Sequence, residues 1–276
     1  IGGDLYPPGS TFKVITASAA LRLGKVTPDS QVDAPDTVTL PGTTHQLQNY
    51  AGESCGNGKV TLTYAFAESC NTTFAQLAMN VGEQELTREA EAWGFNTSSS
   101  IPLTVTPSSF PPVKSQAELA MAGIGQQSVR VTPLQMAQIA ATVANDGNQM
   151  QPYLVKRTLD DKLSVISTTS PKVARSPISS TVAGQLKTMM IQVVASGTGT
   201  SAQVDGMDVA GKTGTAETGS DGGPVTWFIG YAGPSGQAPT IAIAVVLDGG
   251  DQTADTGTGG SEAAPIAATV FKATQQ

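Results

Sequence analysis

The chain has 276 residues and a formal net charge of −7. That length suits one large domain, or two small ones, with a sizeable core. The acidic balance repels phosphate backbones and argues against nucleic-acid binding. No apolar run approaches the ~18 residues of a membrane span, and no signal-peptide pattern opens the chain. Ile1-Gly2-Gly3-Asp4 reads instead as the middle of a longer protein. With 2 cysteines and 1 histidine, the chain is too poor in ligands for a four-ligand Cys/His zinc site. The lone His45, in a turn-like polar stretch, reads as an exposed loop residue and weakens any Ser-His-Asp arrangement.

Tyr6-Pro7-Pro8-Gly9-Ser10 breaks structure, and Thr11 to Leu23 then carries helical spacing at Phe12, Ile15, Ala19 and Leu23, with Gly24 as the stop. Residues 25–59 are rich in Pro, Gly and Thr, with short strand-like pieces such as Thr37 to Leu40. Residues 61–82 read as helix on both sides of a break near Ser69-Cys70-Asn71, and Gly82 to Trp93 as a helix with Glu and Arg on its wet face. A Pro- and Ser-dense loop over 95–114 precedes helices at 115–123 and 132–145, the second opened by Thr132-Pro133. Tyr153 to Leu159 and Leu163 to Ser167 suggest a hairpin across Asp160-Asp161-Lys162. An amphipathic helix follows at 179–195. Asp208 to Glu217, Val225 to Ala232 and Thr240 to Leu247 then read as strands, and 262–273 as a closing helix. The nearly all-apolar Thr240 to Leu247 is expected at the centre of a sheet. Consecutive strands with no helix between them predict an α+β fold with an antiparallel sheet flanked by helices, plus a mostly helical part.

Three short patterns carry chemistry, and each occurs once. Ser10-Thr11-Phe12-Lys13 puts a hydroxyl and an amine one helical turn apart on one face. A neutral lysine can take the serine proton if burial or a second cation lowers its pKa. Alone, a serine at a helix start is more often only a cap. Ser69-Cys70-Asn71 breaks a helical stretch and has the same bland alternative, an N-cap for 72–81. Lys212-Thr213-Gly214-Thr215 lies on an expected strand, otherwise a polar edge with a Gly irregularity. Its functional reading supplies a second amine near Lys13, two hydroxyls for a substrate carboxylate, and a glycine that lets the strand approach the nucleophile's helix. A strand edge can also pair with an extended peptide.

In this order and context the three patterns resemble the S-x-x-K, S-x-N and K-T-G motifs of penicillin-binding proteins and β-lactamases. Tyr6 to Lys13, Gly123-Ile124-Gly125-Gln126, Val131 to Gln135, Ala144-Asn145-Asp146-Gly147, Ala210 to Ala216 and Trp227-Phe228-Ile229-Gly230-Tyr231 are similar to stretches of class B penicillin-binding proteins. The likeness covers nearly the whole chain, 1–276, and is close to actinobacterial division and elongation transpeptidases. It implies a β-lactamase/transpeptidase-like fold and a transpeptidase domain acting on D-Ala-D-Ala peptide stems of peptidoglycan.

By this resemblance Ser10 is the nucleophile and Lys13 its base. Ser69 relays a proton with Lys212 behind it, and Asn71 holds Lys13 and the substrate. Thr213, Gly214 and Thr215 form the substrate-binding strand. No cofactor or metal is implied. β-Lactam antibiotics are expected to acylate Ser10, and a membrane glycan polymerase is a possible partner. The family pattern also implies strands, an upstream domain and a membrane anchor ahead of residue 1, with the domain at the extracytoplasmic face of the membrane. An exported domain meets oxidising conditions, so Cys55 and Cys70 either form a disulfide or remain separate thiols. The rivals are a D,D-carboxypeptidase, a β-lactamase and a non-catalytic β-lactam sensor. The E-x-x-x-N loop that class A β-lactamases carry after S-x-N is missing there. The one such pattern, Glu53 to Asn57, comes before Ser69.

Overall fold

A computed structural model describes residues 2–56, 58–98, 101–217, 223–249 and 257–275. Gly9–Phe12 forms a 3-10 turn that runs directly into helix α1, Lys13–Arg22. Ser10 therefore lies inside the first turn rather than capping it. Every residue from Lys13 to Leu21 is buried, so α1 is a central axis and not a surface helix with one wet face. Its polar residues are satisfied locally: Thr16 Oγ1 donates to Gly123 O at 2.6 Å. Gly24, at φ +65°, closes the helix, with the Lys25 N–H donating to Ala20 O.

Short strands follow in pairs: β1 (Gln31–Ala34), β2 (Thr37–Thr39), β3 (Gln46–Gln48) and β4 (Gly58–Thr61), with β1 antiparallel to β4 and β2 to β3. Helices α2 (Leu62–Ala67) and α3 (Asn71–Val81) are separated at Ser69, which takes φ +60°. The expected break is there, but the cap is not. Asn49 Oδ1 accepts from the Thr72 N–H at 3.1 Å and caps α3 from a distant loop. Neither Ser69 nor Asn71 is used as a cap.

Helix α4 (Glu83–Ala92) departs from its reading in one respect. Glu83, Glu85 and Arg88 face water, but Glu89 is buried. It falls on the inward stripe, where Arg22 Nε donates to it at 2.6 Å, Trp93 Nε1 at 3.1 Å, and Ser18 Oγ as well. A buried carboxylate with this many donors ties α4 to α1.

The remaining helices are α5 (Gln116–Gly123), α6 (Pro133–Ala144), α7 (Ser180–Ala195) and α8 (Ala264–Ala273). Ser115, Thr132 and Ser179 each accept an N–H from the first turn of α5, α6 and α7. Between α6 and α7 lie β5 (Gln149–Met150), β6 (Arg157–Leu159), β7 (Val165–Thr168) and β8 (Val173–Arg175). The predicted hairpin is β6–β7, shorter than its apolar pattern suggested and exposed throughout.

Strands β9 (Met207–Ala216), β10 (Val225–Pro234) and β11 (Ile241–Asp248) form an antiparallel sheet in the order β11-β10-β9 among the described residues. This corrects the expectation for Thr240 to Leu247. That segment is an edge of this sheet, half-buried along its length, and β10 is the centre. The reason lies in its two faces. Ile241, Ile243, Val245 and Leu247 pack with α8 residues Ala264, Ala267 and Phe271. Ala242, Ala244 and Val246 pack on the main core, which includes Met136, Ile139 and Val143 of α6. Apolarity on both faces reports cover on both faces, not position in the strand order.

Replacing Glu89 with Ala would leave Arg22, Ser18 and the Trp93 indole facing a void. The expected loss is about 3 kcal/mol of unfolding free energy. Urea denaturation of wild type and Glu89→Ala checks this, and equal midpoints would show that the buried network does not hold α1.

Candidate active site

The turn bearing Ser10 is clamped from several sides. Tyr6 exchanges backbone hydrogen bonds with Val131, and the Gly9 N–H donates to Gly125 O at 3.0 Å. Trp227 Nε1 donates to Pro7 O at 2.9 Å, and its ring meets Tyr6 edge-on with centroids 6.1 Å apart. Two glycines mark the closest approaches. A Cβ on Gly125 would stand 2.0 Å from Gly9 O, and one on Gly214 would stand 2.9 Å from Pro8 O. Gly214 thus lets β9 lie against the turn that carries Ser10. Ser10 itself is half-buried, and among the described residues its hydroxyl has no hydrogen-bond partner.

Lys13 and Lys212 are both 0% exposed. Lys13 Nζ donates to Ser69 O at 2.6 Å, Asn71 Oδ1 at 2.7 Å and Ser69 Oγ at 3.2 Å. Lys212 Nζ donates to the same Ser69 Oγ at 2.9 Å and to Thr213 O at 3.1 Å. Among the described residues neither amine has a salt bridge. Burial, and then the Lys212 charge, hold Lys13 well below the ordinary lysine value. Burial also brings Lys212 down to about 7, opposed by the Glu68 carboxylate.

These groups open onto a cavity of about 370 Å³ lined by Ser10, Ser69, Asn71, Thr213, Gly214 and Thr215. A second cavity of about 580 Å³ meets it at Ser10, Tyr50, Asn71 and Thr215. Every site residue read from the sequence is accordingly brought together here: Lys13 and Lys212 lie beneath, and the others lie on the lining.

A family model described as the penicillin binding protein transpeptidase domain matches residues 3–272. The chain belongs to the penicillin-binding protein transpeptidase family. Two curated relatives are named peptidoglycan D,D-transpeptidase PbpA. That of Mycolicibacterium smegmatis is 44% identical over 95% of this chain and 54% of its own length. That of Mycobacterium tuberculosis H37Rv is 42% identical over 99% of this chain and 56% of its own. This penicillin-binding protein chain thus spans about half the length of the curated relatives it matches. The crystal structure of PBPA from M. tuberculosis superposes on all of this chain and 62% of its own, with a TM-score of 0.90 at 41% identity. A structure of the same protein as a penicillin G acyl-enzyme complex superposes with a TM-score of 0.90 at 42% identity.

Other residues of this penicillin-binding protein line the cavity without having been read as site residues: Tyr50, Glu53, Glu68, Thr198, Ser201, Thr258 and Ser261. Thr198 Oγ1 shares a 2.6 Å hydrogen bond with Thr213 Oγ1, and the Gly259 N–H donates to Thr215 Oγ1 at 3.2 Å. The available signal was glycine beside hydroxyl residues, in Gly197-Thr198-Gly199 and Thr258-Gly259-Gly260-Ser261. A Cβ on Gly259 would stand 2.2 Å from Trp227 O. Burial and then Glu53 raise the pKa of Glu68, opposed by Lys212. His45, exposed as expected, lies on the second cavity.

Cys55 and Cys70 form a disulfide, with Cα atoms 5.8 Å apart and a sequence separation of 15. Of the two alternatives left open by the sequence, pairing is the one observed. It ties the segment carrying Tyr50 and Glu53 to the middle residue of S-x-N, and closing such a loop contributes about 3 kcal/mol in the chain-entropy account.

The Gly214→Ala variant of this penicillin-binding protein would drive a methyl group into Pro8 O and Thr11 Cγ2, each 2.9 Å away. Stability is expected to fall by about 1–3 kcal/mol. Thermal unfolding measures it, and an unaltered midpoint would mean that strand and turn are not in contact.

Proposed function

We propose that this chain is the acyl-transfer domain of a peptidoglycan D,D-transpeptidase, and that β-lactams acylate it at Ser10. The observation that carries the reading is Lys13. It is an amine buried without an ion pair, one helical turn from Ser10, with a second buried amine sharing its hydroxyl partner. Such a lysine gives up its proton more readily than an ordinary one and is available as a base.

In the proposed sequence Ser10 Oγ attacks the carbonyl of a D-Ala-D-Ala bond while its proton passes to Lys13 Nζ. The C–N bond breaks, and the departing amine receives a proton through Ser69 Oγ, replenished by the two lysines. The remaining peptide is held as an ester on Ser10. The amine of a second stem then attacks that ester, a new C–N bond forms, and Ser10 recovers its proton. Asn71 orients Lys13 and the substrate's peptide carbonyl. Thr213 and Thr215 receive the terminal carboxylate, and Gly214 keeps the strand close enough for them to do so. Backbone N–H groups of Ser10 and Thr215 stabilise the oxyanion, at ~3 kcal/mol per donor.

The M. tuberculosis relative, solved as a penicillin G acyl-enzyme, supports β-lactams as acylating ligands. The D,D-transpeptidase names of the PbpA relatives support peptide stems as substrate. The proposal extends to the whole protein: a membrane-anchored enzyme whose domain works on the extracytoplasmic face, beside a membrane glycan polymerase. No helix among the described residues is long and apolar enough to cross a membrane.

Incubation with penicillin is expected to leave a mass adduct on the Ser10-containing peptide that persists for hours, and Ser10→Ala is expected to abolish it. Rapid loss of the adduct would indicate a β-lactamase. No adduct on wild type would end the reading. A stem-peptide assay with an amine acceptor separates a transpeptidase from a sensor and a carboxypeptidase.

The pH dependence has a defined sign. Acylation needs neutral Lys13, so its rate rises with pH through the depressed Lys13 pKa. Removing the Lys212 charge takes away one of the two causes of that depression. The rising limb of Lys212→Met is therefore expected to move to higher pH, as followed by stopped-flow acylation with a chromogenic β-lactam. A limb that stays in place would show that Lys13 is not the base.

A further inference from the structure

We propose that Glu68, with Glu53 beside it, docks the ammonium group of the acceptor, so that the second peptide enters over the end of α2. The inference deepens the acyl-transfer reading above and rests on it.

The chemistry sets a problem that the motif residues leave open. An acceptor amine of the lysine type has a pKa of ~10.4 and arrives as a cation at neutral pH. It must be attracted to the ester, then stripped of a proton before it can attack. Lys13 and Lys212 cannot attract it. The negative side chains lining the cavity at Ser10 and Ser69 are Glu53 and Glu68. Both are exposed to incoming solute.

Their placement suits the task. Glu68 immediately precedes Ser69, whose Oγ is within hydrogen-bond distance of both buried amines. A cation held at Glu68 therefore lies on the same cavity wall as the hydroxyl that takes its proton. Glu53 reaches the same cavity from the segment that the Cys55–Cys70 disulfide ties to the S-x-N turn. The two carboxylates are near enough for Glu53 to raise the pKa of Glu68, so a cation between them is favoured. Threonines 213 and 215 and the hydroxyls of Thr258 and Ser261 line the same cavity and suit a carboxylate instead. The neighbouring cavity has Glu217 on its lining but not Ser69, so an amine drawn there would stand away from the hydroxyl that the two buried amines share.

The step balances. The ammonium gives one proton through Ser69 Oγ to a neutral lysine. The freed nitrogen attacks the ester carbonyl, the C–N bond forms, and the bond from carbon to Ser10 Oγ breaks. The second nitrogen proton returns to Ser10 Oγ by the same relay, and the lysine releases the first proton to solvent. No oxidant or further reactant is needed.

The test uses a thioester donor and compares two acceptors: Nα-acetyl-lysine amide, which is charged, and hydroxylamine, which is neutral at pH 7. The quantity read is the ratio of their half-saturating concentrations. It is expected to rise about threefold in Glu68→Gln, and further in Glu53→Gln/Glu68→Gln, while Glu68→Asp restores most of it. On the wild-type protein, added salt is expected to weaken only the charged acceptor, which tests the idea without any variant. An unchanged ratio in the double variant, or a pH profile shifted alike for both acceptors, overturns the proposal; the second outcome would mean that Glu68 acts through Lys212. Wild type that forms no Ser10 ester would instead remove the acyl-transfer reading, and this inference with it.

Discussion

Two buried amines share one hydroxyl. Lys13 Nζ and Lys212 Nζ both donate to Ser69 Oγ, with no ion pair on either among the described residues. Two full charges left unpaired in such a place would cost several kcal/mol each. The site meets that cost by lowering the lysine pKa values, by supplying Asn71 Oδ1 and backbone carbonyls as acceptors, and by setting an aromatic ring near each amine. Phe74 lies 5.6 Å from Lys13 Nζ and Phe66 lies 5.6 Å from Lys212 Nζ, centroid to nitrogen. Burial of the amines and their lowered pKa values are thus the same construction.

The rest of the fold keeps that construction in register. Helix α1 carries Lys13 at its first position and is buried all round, so it cannot rotate to relieve the charge. Glu89 fixes its other end through Arg22 and Ser18. Ser69 is released from capping because Asn49 caps α3 from across the chain. Strand β9 presents Lys212 inward and Thr215 toward the cavity, and Gly214 allows it to lie against the Ser10 turn. The disulfide then adds a wall carrying Tyr50 and Glu53. Each of these contacts joins segments far apart in sequence.

Much of the site was legible because its chemistry is written in short local patterns. Ser10 and Lys13 are one helical turn apart whatever surrounds them. The break at Ser69 and the glycine in the Lys212 strand are likewise local facts. Glu53, Glu68, Thr198 and Ser261 were not legible, since a carboxylate or hydroxyl in a loop looks the same whether it faces a cavity or bulk water. Glu89 could not be told apart for a related reason: on helix α4 it resembles its exposed neighbours, and only Arg22, Ser18 and Trp93 make burial tolerable. The strand Ile241–Asp248 shows the limit of apolar pattern. Alternate residues pack on α8 and on the main core, a state that a central strand and a covered edge share.

The sequence by itself determined the element types, the α+β class, the three motifs and the family, because each depends on the spacing of a few neighbouring residues. It also narrowed the cysteines to two outcomes. Tertiary structure alone decided the strand order, the disulfide, the lowered pKa of the two lysines and the acidic side of the cavity. Those properties depend on distances between segments far apart in sequence, 143 residues in the case of Ser69 and Lys212. Burial and electrostatic coupling come from that proximity, and no local pattern encodes it.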